Sequence, residues 1–403
     1  MRSHSHIKRT ITHTAAFLVV SLSQVCAQGF RNPPEGARAI GAFGGYMTFV
    51  EDADTVIHNP ANLMYNESQT VQLNLLGGYG RNTYNRPSIT RQKTRSPYFA
   101  LPGMAAAIPI NERFAMGFAV YVPYGRSVEW SRDGDFASRG LPYAGSMTVV
   151  DVSPVLAFQL HDHVSAAFGL NFYNGEVEQD TLLFGLQSQG IPEGTRSRLD
   201  ADGQATGWNA AVTVLLPRQQ RIAASIRSPF SINFDGDNEL DIGLRSRASA
   251  RIHYPTIVSL GYGIAITDNL ITEISGEWLE FSRYETLTID DRLFGSIETP
   301  VNQEDTWTAG IALQWTFRPQ WTWRAGYQYL ENPTPDETYT PLTPDEDQGV
   351  ISTGIGFSGE RHYFDIGYAY GIFSGRNIPE TNPAGGKHDY DVHLASLSYG
   401  FRL

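Results

Sequence analysis

The stretch "TWTAGIALQWTF", Thr306–Phe317, places an apolar side chain at every second position. Trp307, Ala309, Ile311, Leu313, Trp315 and Phe317 share one parity, and Thr308, Gly310, Ala312, Gln314 and Thr316 share the other. A period of two marks a β-strand with one apolar face. After the short break "RPQ" the pattern restarts in "WTWRAGYQYL", and it recurs in "YFDIGYAYGI" and "VSAAFGLNF". A soluble sandwich would show the same alternation, so the aromatics carry the decision. Trp315, Phe317, Trp321 and Trp323 flank one tight turn on the apolar face. That is where the interfacial girdle of a membrane barrel belongs.

Beyond this hairpin, the alternation predicts about fourteen strands between residue 69 and the end of the chain. Short connections near Ile110–Glu112, His161–Asp162, Arg218, Ile266–Thr267, Arg318–Pro319 and Glu360 alternate with long ones. The expected long loops lie near 81–96, 125–145, 179–203, 235–247, 282–302, 332–346 and 374–388. This rhythm is that of an outer-membrane barrel with both chain ends on the periplasmic side. An even strand count lets the sheet close and leaves no edge. The fold expected is therefore all-β: an antiparallel transmembrane barrel with an N-terminal plug in its lumen.

The 403 residues would suggest two or three soluble domains on length alone. The first 27 residues argue for export instead. "MRSHSHIKRT" is a basic start, "AAFLVVSL" a short apolar core, and Val25-Cys26-Ala27 approximates a cleavage site. The expected division is a signal peptide at 1–27, a plug at 28–67 and a barrel at 68–403. The one cysteine, Cys26, would leave with the leader, so no disulfide is expected. A formal net charge of −12 with no basic cluster argues against a nucleic-acid partner. No nucleophile–histidine signature suggests an enzyme. His161-x-His163 and the acidic "DGDNE" at 235–239 fall short of a metal site, and no cofactor is implied.

The segment before the first strand reads "GARAIGAFGGYMTFVEDADTVIHNPANL". Gly36-Ala37-Arg38-Ala39, then Asp52-Ala53, then Asn59-Pro60-Ala61 resemble the N-terminal hatch of the FadL-type outer-membrane transporters, the family that includes the toluene-uptake porins. "VPYGRSVEW", "GWNAAVTVLLPRQQRIAASIRSPFSINFDG" and "RAGYQYLENPTPDETYTPLTPDED" extend the resemblance along the barrel. Gly36, Arg38, Asp52, Asn59, Pro60 and Ala61 are thus expected hatch residues. Pro fixes its own φ and pushes the preceding residue out of the helical region, so Asn59-Pro60 suits a helix end. The same triplet recurs at Asn382-Pro383-Ala384, where no role is assigned.

The resemblance implies passive outer-membrane transport of long-chain fatty acids or other hydrophobic molecules, with exit sideways into the lipid of the bilayer. It implies a monomer and hydrophobic small-molecule partners. An alternative from another class is a barrel that serves protein secretion as a binding partner. In the family an inward kink of the third strand opens the side exit. Pro123, Tyr124 and Gly125 are the candidates here, since Pro cannot donate to a ladder and Gly often marks a bulge. Trp130, Phe136, Leu141 and Tyr143 are candidates for an outer apolar groove. Parity points Arg227, Arg251 and Arg324 into the lumen, with Glu273, Glu277 and Asp365. Fatty-acid members place a basic residue on the fifth strand, where this chain has Glu176 and Glu178.

Overall fold

The structure is a computed structural model that describes residues 29–87 and 89–403. The expected leader, 1–27, lies outside the described residues. Fourteen antiparallel strands form one closed barrel. They are β1 (Thr70–Asn85), β2 (Tyr98–Asn111), β3 (Phe114–Glu129), β4 (Ala144–His161), β5 (Val164–Leu183) and β6 (Thr195–Leu216). Four broken strands follow: β7 (Gln220–Arg227 and Phe230–Leu240), β8 (Arg245–Tyr254 and Ile257–Thr267), β9 (Leu270–Leu279 and Thr286–Asp291) and β10 (Gly295–Pro300 and Thr306–Arg318). The rest are β11 (Trp321–Leu330), β12 (Gln348–Ser358), β13 (His362–Phe373) and β14 (Gly386–Arg402). Closure comes from β1 against β14, unbroken from Thr70↔Arg402 to Asn85↔Lys387. With no water in the bilayer core, such closure is what satisfies the backbone groups.

The outward face carries the apolar parity. Ile311 is 51% exposed, while Ala312 beside it on the inner face is 3% exposed. Several expected loops prove shorter, because the strands run on past the apolar band. Residues 235–247 are mostly a hairpin, with β7 pairing β8 as far as Glu239↔Arg245. Residues 282–302 hold a second hairpin, Thr286↔Pro300 to Asp291↔Gly295. Both stretches are rich in charged residues, which leave only fragments of apolar alternation there (Leu240 and Ile242, Leu287 and Ile289).

Residues 29–66 lie inside the barrel. They form two short helices, α1 (Ala37–Gly41) and α2 (Thr55–His58), and a 3₁₀ turn at Pro60–Tyr65. The α1 region presses its backbone onto inward-facing glycines. A Cβ at Gly354 would stand 2.9 Å from the Cα of Gly41, and one at Gly326 2.7 Å from the amide nitrogen of Phe43. Gly354 pairs directly with Gly367 across β12 and β13. The result is a flat seat without side chains on one wall. The opposite wall receives Val56, Ala61 and Leu63, which pack with Ala105, Ala115, Ala119 and Ala157.

Three strands change parity part-way. Along β3, Ala115, Ala119 and Tyr121 are buried on the inner face, but beyond Pro123 it is Tyr124, Arg126 and Val128. The register against β4 slips between Tyr121↔Asp151 and Tyr124↔Val149, so two residues oppose one. Along β7, Ala223 faces inward, and after Ser228-Pro229 it is Phe230, Ile232 and Phe234. Along β8, Ala248 and Tyr254 face inward, and after Pro255-Thr256 it is Ile257. One extra residue exchanges the two faces of a strand. This corrects the placement of Arg251. Its parity, carried back through Pro255 as if the strand were continuous, pointed inward, but Arg251 is exposed and its neighbours Ala250 and Ile252 line the lumen.

Two substitutions test this arrangement. Ile311→Lys puts a charge on the lipid face and should impair folding by roughly 2–4 kcal/mol near the midplane. Gly326→Leu should leave the barrel folded, seen as heat-modifiable mobility on a gel, while unseating residues 29–66. Single-channel conductance in planar bilayers should then rise; unchanged conductance would contradict the seat.

Candidate functional site

The three prolines at the parity changes each have an aromatic neighbour: Tyr124 after Pro123, Phe230 after Pro229, and Tyr254 before Pro255. Continued parity would have turned all three rings toward lipid. Instead they meet in the lumen around Phe30. Phe230 stacks on Tyr254 at 4.4 Å and on Tyr173 at 3.7 Å between ring centroids. Phe30 meets Tyr254 edge-on at 5.1 Å and Phe281 at 5.6 Å.

The break in β3 also opens the sheet. β2 and β3 pair as far as Met104↔Val120, and the remainder of β2 pairs only with β1. Toward the long-loop end, the amide of Arg95 donates to the carbonyl of Glu129 at 2.7 Å and bounds the gap. From inside, residues 30–32 take up the free edge of β3. The Asn32 amide donates to Pro123 O, and the Gly125 amide donates to Phe30 O, both at 2.9 Å. The Asn32 side chain donates to Val122 O at 2.7 Å. Pro123, Tyr124 and Gly125 therefore stand together at this gap.

Three cavities surround residues 30–34. One of about 260 Å³ lies toward the long-loop end, with Phe30 at its floor and Met147, Leu199, Ile252 and Leu342 in its wall. A second, of about 110 Å³, reaches Tyr121, Pro123 and Tyr124 at the gap. A third, of about 120 Å³, lies between Arg31–Pro34 and the wall of β11–β14. Residues 31–34 line both smaller cavities.

The loop 331–347 covers the large cavity. Arg376 holds it from β13's side through Asp336 Oδ1 at 2.8 Å, Asn332 Oδ1 at 3.0 Å and the carbonyl of Asp345 at 2.8 Å. Trp130 Nε1 donates to Pro341 O at 3.0 Å. Trp130, Phe136 and Tyr143 are buried with Tyr84, Leu182 and Tyr339, and Leu141 packs on them. They form the packed core of the loops, and not the open outer groove expected from sequence. Rings this size pack against each other once the loops fold inward.

The expected hatch residues make a dense polar network. Gly36 has φ 86°, a region that favours glycine, and a Cβ there would collide with Asp54. Arg38 bridges Asp52 at 3.1 Å and Asp365 at 2.8 Å, and Arg324 holds the other oxygen of Asp365 at 2.8 Å. Arg227 pairs with Asp151 at 3.0 Å and Arg31 with Glu277 at 2.5 Å. Buried charges need such partners. Asn59 gathers Met47 O and Thr213 Oγ1 with its amide nitrogen, while its oxygen accepts from the Ala61 amide. Pro60 opens the 3₁₀ turn. Asn382 repeats the device in the covering loop: its nitrogen gathers the carbonyls of Asp336, Glu337 and Tyr339, and its oxygen accepts from Ala384. The repeated triplet was visible in the sequence; its clamp-like use was not.

Residues 18–402 match the family described as outer membrane protein transport protein (OMPP1/FadL/TodX). The chain belongs to this family. It is 21% identical to the long-chain fatty acid transport protein of Escherichia coli K12, over 90% of this chain and 92% of that protein. It is 22% identical to a 47 kDa outer membrane protein of Pasteurella multocida, over 98% and 99%. The fold is similar to a Pseudomonas aeruginosa FadL homologue, with a TM-score of 0.82 at 20% identity, covering 93% of this chain and 99% of that one. It is also similar to the Pseudomonas putida toluene transporter TodX, with a TM-score of 0.77 at 13% identity, covering 94% and 100%. As an OMPP1/FadL/TodX member, the protein is an outer-membrane transport barrel.

Asp345 supplies a pH test of the covering loop. Its carboxylate accepts from the Gly29 amide at 2.9 Å, and burial pushes its pKa up to about 7 despite Arg126 nearby. An exposed aspartate titrates near about 4. The sign follows: the closed loop is fully favoured below about 4 and loses stability as pH rises through about 7. Hydrogen exchange of residues 331–347, corrected for intrinsic rates, should be slower at pH 5 than at pH 8. Asp345→Asn should shrink the difference, with the remainder left to the neighbouring Glu346, whose pKa burial also raises; a pH-independent wild type would contradict the assignment.

Proposed function

We propose that the protein carries hydrophobic small molecules across the outer membrane by passive diffusion and releases them sideways into the bilayer. The observation that carries this reading is the gap in backbone pairing between β2 and β3, whose β3 edge is taken up from inside by residues 30–32. Water gives a hydrophobic solute no driving force to enter an open channel, whereas a lateral exit delivers it to apolar surroundings. Fatty acids and aromatic hydrocarbons, the cargo named for the relatives, are both in scope.

In this reading residues 29–66 are a hatch. Their glycine seat and ion-pair network hold them across the lumen. Phe30 closes the floor of the large cavity, and a displacement of residues 30–32 would join that cavity to the gap. The segment is bound to β3 by two backbone hydrogen bonds and one from Asn32, a small attachment beside the contacts of α1 and the 3₁₀ turn. Opening it would also break the Arg31–Glu277 ion pair and the ring contacts of Phe30 with Tyr254 and Phe281, still a smaller change than unseating the whole segment.

Deleting Pro123 removes the extra residue and restores continuous alternation through Tyr124. Pairing with β2 should extend past Val120 and seal the gap. The variant should fold and still bind a hydrophobic probe, but delivery to vesicle lipid should fall about tenfold, the effect of ~1.4 kcal/mol in a barrier. Delivery at the wild-type rate would rule out this exit.

A further inference from the structure

The pairing of the wall lapses a second time, between β8 and β9. These strands pair from Thr267↔Leu270 to Ile257↔Leu279, and again from Ala250↔Ile289 to Ala248↔Asp291. In between, residues 251–256 of β8 stand against residues 280–288 of β9, six against nine, and a 3₁₀ turn at Phe281–Arg283 takes up the excess. Past that turn β9 follows β10 instead: the Val301 amide donates to Glu285 O at 2.8 Å and the Gln303 amide to Tyr284 O at 3.1 Å. At the β3 break a length of backbone takes up the free edge; here a ring fills the space. Tyr284 stands 6.3 Å from Phe30 in the lumen and 6.4 Å from His253, between ring centroids. His253 has the outer parity of β8, since Ile252 and Tyr254 on either side of it face the lumen. One ring therefore reaches from the aromatic cluster in the lumen to the outer face.

The lapse borders the large cavity, which Ile252, Tyr284, Leu287 and Ile289 all line. Its level in the membrane follows from its neighbours. Trp278 and Trp307, outward-facing rings 6.5 Å apart, lie on its short-turn side, and such rings mark the membrane interface. Counted from the short turns, the lapse starts later on β8, at Thr256 from Thr267, than the break on β3, at Val120 from Phe114. It therefore lies nearer the cell surface than the β3 break. We infer that it is an entry window: compact apolar molecules adsorbed among the headgroups of the outer leaflet pass between β8 and β9 into the large cavity, and the Tyr284 ring is the door. A ring turns on two torsions, whereas a ladder parts only by losing several hydrogen bonds. An apolar molecule collects at a lipid surface rather than in water, so the window draws on the richer supply. The cavity bounds the cargo: one of about 150 Å³ accommodates benzene, and this one has about 260 Å³.

The inference rests on the transport reading above, and the test separates the two. Beyond Cys26 the sequence has no cysteine, so Leu199→Cys adds one reporter thiol in the cavity wall. The full chain in lipid vesicles is treated with N-hexylmaleimide, which partitions into the lipid surface, or with a sulfonated maleimide confined to water, and labelling is followed by mass. Tyr284→Ala should speed labelling by the hexyl reagent about tenfold, the factor one ring contact supplies, and leave the sulfonated reagent's rate unchanged. Tyr284→Phe, which keeps the ring, should keep the parent rate. Should Tyr284→Ala lose heat-modifiable folding, His253→Trp takes its place: it enlarges the ring on the outer face and should slow hexyl labelling several-fold. Unchanged hexyl rates in these variants, or equal acceleration of both reagents, overturns the window. So does hexyl labelling that disappears when Pro123 is deleted, which would leave the β3 break as the one door and keep the transport reading. No hexyl labelling in any of these chains overturns both.

Discussion

A strand in a closed barrel has two faces, and one residue more or less exchanges them. The protein is built on that constraint. For most of their length the strands keep strict alternation, which gives the outer surface its apolar band and the lumen its small and polar residues. At Pro123, Pro229 and Pro255 the alternation breaks, and Tyr124, Phe230 and Tyr254 turn inward instead of outward. The same event on β3 severs its pairing with β2. An apolar chamber and a break in the pairing of the wall thus arise from one device, an extra residue beside a proline that could not have joined the ladder.

The rest of the lumen is filled by a segment that is mostly backbone and paired charge. Close approach requires glycine on the barrel wall, and Gly310, Gly326, Gly354 and Gly367 provide it. Charges buried without water require partners, and the chain Asp52–Arg38–Asp365–Arg324 supplies them in alternating sign. Glu273 is satisfied by the amides of Met47 and Thr48 and the Thr48 hydroxyl. These bonds link segment and barrel across more than two hundred residues of chain.

The hairpin Thr306–Leu330 was legible as strands from its alternation and as part of a membrane barrel from the aromatics at its turn, because lipid demands an apolar face and the interface favours aromatic rings. Strand number and barrel closure followed from the same signal. Arg251 was misplaced because alternation was carried through Pro255, and a one-residue offset leaves no mark on composition. Trp130, Phe136 and Tyr143 looked free because loop sequence shows apolar character without its partners; Tyr84, Leu182 and Tyr339 lie far off in the chain. Arg126 escaped notice altogether. It faces the lumen only because of the slip at Pro123, and its ion-pair partner Asp345 comes from a distant loop.

In the proposed route the plug stays seated while the substrate leaves sideways. Val56 packs on Gly117 of β3, and a disulfide needs Cβ atoms about 3.5–4.5 Å apart, so Val56→Cys with Gly117→Cys should bond the plug to the wall. Delivery of a hydrophobic probe to vesicle lipid should then be the same with the bond oxidised or reduced. Delivery abolished on oxidation and restored by reductant would mean that the plug must leave, and that the route runs through the lumen.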